Sequence, residues 1–413
     1  MRTFAPEDRV SGMHPLSPVI KLCVAAAAAL ALLPTAANAA TVGLEGGTLV
    51  FRGEGAEGNS LLVSARDDWN TNARYLVLRD SGADRMAVTS GPCAVDTSDA
   101  TTILCPFDPN RPLRIEGSQA KDSLSLFSRT DIPDSMPVTI LGNGGDDTIK
   151  DTYDGEAGRI LDGGPGNDEV VGYGGNDRID GGDGNDKVDG GAGNDEVRAG
   201  AGDDVLWGDH YQEPGADLLD GGPGTDQIDE WNIPSADVHP LPTVTLNGAA
   251  DDGRPGEGDN VVDVEQYKFY INATFTGGDA AETVEIGSVD SGSSNLAGGG
   301  GNDVLKANDT NDTVNGGPGD DIVEGGLGND TVVGGPGKDM IMGDASSSHC
   351  GIYSCKIAFG NDTIDARDGE ADQVDCGIGE DVAKVDAIDT VANCETVERA
   401  GAAPAAPGGP AAG

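Results

Sequence analysis

From about residue 160 onward, one aliphatic residue recurs every nine positions, at Val170, Ile179, Val188, Val197 and Leu206, after stretches rich in glycine and aspartate. The same beat returns at Leu305, Val314, Val323, Val332 and Ile341. One inward position per short run, with polar residues around it, predicts three-residue strands separated by tight turns. Residues 40–140 read differently. Apolar and polar residues alternate over 48–52, 61–64, 74–78, 101–104 and 113–115, with Gly, Asp and Asn between, which predicts a small β-sheet domain.

The first 39 residues are another matter. Lys21 precedes an apolar run over 22–33, which is too short to span a bilayer, and Ala37-Asn38-Ala39 is a small-x-small cleavage signal. We read residues 1–39 as a secretory signal peptide, with Met13 as an alternative start because the segment before Lys21 is long and carries Glu7 and Asp8. No later stretch approaches membrane length, so no membrane span is expected. Residues 399–413, almost all Ala, Pro and Gly, are expected to be a disordered tail.

Charge narrows the partners. With 25 Lys and Arg against 72 Asp and Glu, the formal charge is −47, which excludes nucleic acid and anionic lipid as electrostatic partners and favours cations. Only 4% of residues are aromatic and 65 are glycine, a composition unlike an ordinary α/β enzyme. Disorder would also tolerate low hydrophobicity and high charge, but it has no reason to keep acidic and aliphatic residues in step.

The step is strict. From Gly163 the chain reads GGPGNDEVV, GYGGNDRID, GGDGNDKVD, GGAGNDEVR and AGAGDDVLW without a gap. A longer unit (208–220), then GGPGTDQID, and a forerunner GNGGDDTIK at 142–150 complete a first array of eight. A second array of six starts at Gly298 with GGGGNDVLK, ANDTNDTVN, GGPGDDIVE, GGLGNDTVV and GGPGKDMIM and ends in a long-looped unit over 343–365. These units resemble the glycine-rich nonapeptide GGxGxDxUx, with U aliphatic, of the haemolysin-type (RTX) calcium-binding repeat family. The resemblance implies an all-β fold of two parallel β-roll arrays, in which two nonapeptides make one coil and Ca²⁺ lies between turns two repeats apart. The expected organisation is a first roll over 141–229, a connecting β segment over 230–276, and a second roll with a C-terminal cap over 277–398.

The residue types suit that chemistry. Glycines at positions one, two and four are expected to allow positive φ and a close approach of carbonyls to an ion. The aspartate at position six is a hard oxygen ligand of the kind Ca²⁺ takes and zinc does not prefer. The candidate ligands are Asp147, Asp168, Asp177, Asp186, Asp195, Asp204, Asp217 and Asp226 in the first array, and Asp303, Asp312, Asp321, Asp330, Asp339, Asp362 and Asp372 in the second. ANDTNDTVN lacks three of the glycines, and long insertions interrupt the turns before Asp217 and Asp362, so weak or absent sites are expected there. In the connecting segment, Asp251, Asp252, Glu257, Asp259 and Glu265 are candidates for one more Ca²⁺.

Removal of the leader leaves Cys93, Cys105, Cys350, Cys355, Cys376 and Cys394. An even number in an exported chain favours disulfides, and although 15 pairings are open, neighbours in sequence give 93–105, 350–355 and 376–394. Cys376 and Cys394 are 18 residues apart, which in a roll is one coil. No HExxH and no GxSxG occurs, so catalysis is not expected. The reading is a secreted calcium-binding protein that folds on export, with an adhesin or cell-surface spacer, its partner unknown, as the alternative.

Overall fold

A computed structural model describes residues 38–400 apart from 56–57, 69–72, 82, 84, 127–131, 133–134, 153–156, 210–214, 231–241, 254–257, 288–290 and 345–359. The leader before Asn38, the tail after Ala400, and Cys350 and Cys355 lie outside the described residues. Every described element is a strand.

The nonapeptides build a parallel β-roll. Each unit contributes one short strand, and successive units alternate between two opposed sheets, so a strand pairs with the one two units later. Glu169–Val171 pairs in parallel with Lys187–Gly191, and Arg178–Asp183 with Glu196–Ala201. The registers set Val170 beside Val188 and Ile179 beside Val197, which stacks the aliphatics of position eight into two facing ranks. Val170, Ile179, Val188, Val197 and Leu206 are all fully buried. One inward residue per three-residue strand is enough because each rank is continuous along the stack.

One of the two sheets crosses the boundaries expected at 140, 229 and 276 without a break. It passes from Ser60–Asp68 through Ser123–Leu126 and Thr148–Asp151 into the first array. It then continues from Gln227–Glu230 through Gln266–Phe269 and Thr283–Ile286 to Val304–Lys306. The opposite side is made in two pieces. One ends where Leu218–Asp220 pairs with Asn260–Val262, and the other starts where Thr243–Thr245 pairs with Thr274–Thr276. The connecting segment is therefore built of coils itself, filled by Tyr267, Phe269 and Phe275, with Tyr267 and Phe275 at a centroid distance of 4.8 Å.

Each end carries a disulfide. At the start, the parallel stack gives way to antiparallel pairs such as Ser60–Asp68 with Ala73–Asp80, which in turn pairs with Thr102–Pro106. A Cys93–Cys105 disulfide ties the latter strand to its neighbour. At the far end Cys376 and Cys394 form a disulfide across one coil, with their Cα atoms 5.1 Å apart. Asp389 follows Asp381 by eight residues where Asp381 follows Asp372 by nine, yet Cys376 N–H still donates to the Ala392 carbonyl.

Candidate functional site

The aspartates of position six stand one above another at the turns that lead into the strands. Each uses one oxygen to hold the coil before it. The backbone N–H of Asp168 donates to Asp186 Oδ1 at 2.7 Å, and that of Asp186 to Asp204 Oδ1 at 2.7 Å. Along the continuous sheet this ladder runs from Asp122 through Asp147, Asp168, Asp186, Asp204 and Asp226 to Glu265, then from Glu282 through Asp303, Asp321, Asp339 and Asp372 to Asp389. On the opposite side Arg159, Asp177, Asp195, Asp217 and Asp259 are linked in the same sense, and later Ser294, Asp312, Asp330, Asp362, Asp381 and Glu395.

The second oxygen is the informative one. Oδ2 is buried without a hydrogen-bond partner in Asp147, Asp168, Asp177, Asp186, Asp204 and Asp226, and again in Asp303, Asp321, Asp330, Asp339, Asp362 and Asp372. A buried carboxylate oxygen with no donor is costly. Burial, the largest cause, pushes Asp177 and Asp330 up to about 8 and Asp147, Asp186, Asp339 and Asp362 up to about 7. The stacked carboxylates raise one another further, as Asp168 and Asp204 do for Asp186.

The glycines define the space these oxygens face. Positions two and four have positive φ, 92° and 153° at Gly164 and Gly166, as expected. Position one does not, which corrects the reason given above for its glycine. A Cβ on Gly163 would stand 2.5 Å from Asp168 Oδ2 and 2.5 Å from the Gly181 carbonyl oxygen. The same cradle recurs at Gly181, 2.7 Å from Asp186 Oδ2 and 2.3 Å from the Ala199 oxygen, and at Gly316, 2.4 Å from Asp321 Oδ2 and 2.6 Å from the Gly334 oxygen. A small space faced by a bare carboxylate oxygen and a main-chain carbonyl suits a hard cation. Among the described residues no three His, Cys, Asp or Glu side chains converge on one point, so such an ion would rely on carbonyls for much of its shell.

The structure places the remaining candidates as follows. Asp312, in ANDTNDTVN, is saturated: Oδ1 accepts from Ser294 N–H and the Thr310 hydroxyl, and Oδ2 from Asn308 N–H at 3.3 Å. Side chains do in that turn what glycines and an ion would do elsewhere, so Asp312 leaves the candidate ligand set. By contrast, the insertions before Asp217 and Asp362 do not displace either carboxylate, which accept from Asp195 and Asp330 at 2.8 and 2.9 Å. The acidic residues of the connecting segment do not converge. Asp252 accepts from Thr245 and Val261, Asp259 and Glu265 join opposite ladders, and Glu257 lies outside the described residues. Asp122, Glu282 and Asp381 belong to the ladders although the sequence reading passed over them as ligands, because each of their units lacks at least one formula glycine and that of Glu282 has glutamate at position six.

A further ladder was invisible in the repeat formula. At position five, Asn167 Oδ1 accepts from Asn185 N–H, Asn185 from Asp203, and Asn176 from Asn194. It recurs from Asn311 to Asn329 to Asn361. The recurrence of Asn and Asp at that position was its only signal.

A sequence model described as "RTX calcium-binding nonapeptide repeat (4 copies)" matches residues 162–197, 180–210, 213–229, 289–323 and 315–347. No curated protein matches the chain significantly.

Proposed function

The chain carries RTX calcium-binding nonapeptide repeats, and from that premise we propose that it is an exported, non-catalytic protein whose roll is completed by calcium. The observation that carries this reading is the file of buried carboxylate oxygens that lack a donor and face glycine cradles. Asp147, Asp168, Asp177, Asp186, Asp195, Asp204, Asp217 and Asp226 would hold ions in the first array, and Asp303, Asp321, Asp330, Asp339, Asp362 and Asp372 in the second. Bound Ca²⁺ would supply the positive charge that these stacked carboxylates lack.

Export is supported by the leader sequence and by two disulfides, which persist in oxidising compartments. No described helix is long and apolar enough to cross a membrane. Millimolar extracellular calcium would then fold the chain after transport, and the stiffened roll would serve as a module or as a spacer at a cell surface.

Native mass spectrometry of the mature chain tests the binding. Ions that bridge turns two repeats apart predict on the order of ten bound Ca²⁺. One or two ions, or none, would defeat the reading.

A further inference from the structure

One turn on the opposite side has no carboxylate to offer. Residues 154–162 read DGEAGRILD, with Leu161 at the aliphatic position eight and Arg159 where the repeat has aspartate. Leu161 is fully buried in register with Ile179, and Arg159 N–H donates to Asp177 Oδ1 at 2.6 Å, so the backbone is that of an ordinary coil. The side chain is not. Its Nε donates to Asp151 Oδ2 at 2.8 Å, with both side chains 0% exposed, and Nη1 donates to the Met136 carbonyl at 3.3 Å. The pair links Thr148–Asp151 of the continuous sheet to the turn that leads into Ile160–Pro165 on the opposite side. Arginine keeps its charge at any physiological pH, and its removal would leave Asp151 as an uncompensated buried charge.

The first ladder member of the continuous sheet is also satisfied by the protein itself. Asp122 Oδ1 accepts from the Asn59 amide at 2.9 Å, and Oδ2 accepts from Ser118 N–H at 2.5 Å and from the Ser118 hydroxyl at 3.1 Å. Around it lies a conventional core, with Phe51, Leu61, Leu78, Met86 and Ile115 buried, and the Cys93–Cys105 disulfide. Among the described residues up to Arg159, Asp147 alone in the ladders has a bare buried oxygen, whereas beyond it such oxygens recur from Asp168 and Asp177 onward. The far end has no comparable substitute. Asp372 and Asp381 each keep a buried Oδ2 without a donor, and the last strand, Thr396–Arg399, is exposed along its length.

We propose that the buried Arg159 guanidinium is a built-in counter-ion that lets residues 38–162 fold without calcium, and that this segment is the template on which calcium adds the remaining coils, from the N-terminal end onward. The growth of the later coils rests on the calcium reading above; the calcium-independent start does not. Each coil of a solenoid contacts only its neighbours, so a folded end coil spares the next one the cost of starting alone.

Hydrogen exchange of the full mature, oxidised chain in EDTA at pH 8 is the test. Peptides covering 60–68, 113–126 and 138–151 should exchange at least about 100-fold more slowly than in denaturant, while those from 163–229 and 295–385 exchange as unfolded chain. As calcium is added, protection should appear over 163–207 at lower concentrations than over 363–399. Arg159→Gln should lose the EDTA protection of 138–151, and Arg159→Lys should retain more of it; circular dichroism in saturating calcium establishes that each variant folds. Absence of protection over 60–151 in wild-type chain in EDTA, or its persistence over 138–151 in folded Arg159→Gln, would overturn the built-in counter-ion. Simultaneous protection of all coils, or protection from the C-terminal end first, would overturn the templated growth. Equal protection throughout the chain in EDTA would overturn the calcium reading, and the templated growth with it.

Discussion

Replacing Asp186 by asparagine should change the sign of its effect according to whether calcium is present. The side chain lies between Asp168 and Asp204 on the ladder, is 1% exposed, and has a pKa of about 7 against an ordinary 3.8. A shift of that size corresponds to about 4 kcal/mol disfavouring the charged form, and screening by solvent at the surface turn reduces this to about 2 kcal/mol. Asparagine has the same shape and keeps an Oδ1 that can accept from Asp168 N–H. Its amide can also donate toward the Ala199 carbonyl across the Gly181 cradle. In EDTA at pH 8, with sucrose added to maintain a folded population, the variant should gain about 2 kcal/mol of local stability. Hydrogen exchange of peptides covering 187–207 reads this as roughly 30-fold slower exchange. In saturating calcium the same variant has lost a charged ligand and should exchange faster than wild type. Destabilisation in both conditions would mean that the carboxylate acts only as a hydrogen-bond acceptor, and the argument from buried charge would fail.

Acid should substitute in part for calcium. Burial raises carboxyls such as Asp168, Asp186 and Asp177 from 3.8 to about 6, 7 and 8, so the folded chain binds protons more tightly than the unfolded one. Their contribution is complete below about pH 4 and is lost as pH rises through about 6 to 8. In EDTA, β signal should therefore be greater near pH 5 than at pH 8, and the opposite order would refute the assignment. Gly181→Ala should raise the calcium midpoint strongly, although φ there is not positive, because its Cβ would sit 2.3 Å from the Ala199 oxygen; a calcium titration unchanged from wild type would remove the cradle from the account. Reduction of Cys376–Cys394 should fray the last coil first, seen as faster exchange over 373–399. Peptide mapping of the unreduced chain should find Cys376 joined to Cys394 and not to Cys350 or Cys355.

The nine-residue beat made the roll legible because each coil needs one inward aliphatic, and Val188 or Val323 announces itself against a polar background. Position six was legible for a similar reason, since an aspartate in fixed step with a buried residue must lie on one line of the stack. What escaped was whatever the formula writes as x. Asn167 and Asn185 looked interchangeable with any polar residue, yet each caps a backbone N–H of a neighbouring coil. The coils outside the regular arrays escaped because stacking depends on backbone ladders and an inward side chain rather than on glycine. Leu124 and Val284 fill their coils in units, GSQAKDSLS and GGDAAETVE, that scarcely match the repeat. The glycine of position one was read as a matter of φ, when its role is to leave room, and only the distance from Gly163 to Asp168 and Gly181 distinguishes the two.

Calcium dependence of the fold itself is tested most directly by circular dichroism of the oxidised mature chain at pH 8, in EDTA and then with Ca²⁺ or Mg²⁺ added. The predicted result is a mostly unordered spectrum in EDTA, β signal appearing at roughly 10⁻⁴ to 10⁻³ M Ca²⁺, and no recovery with Mg²⁺ at about tenfold excess, whose octahedral shell fits wide carbonyl-lined turns poorly. The same β spectrum in EDTA as in calcium would contradict the account, because the buried carboxylates would then be tolerated without any cation.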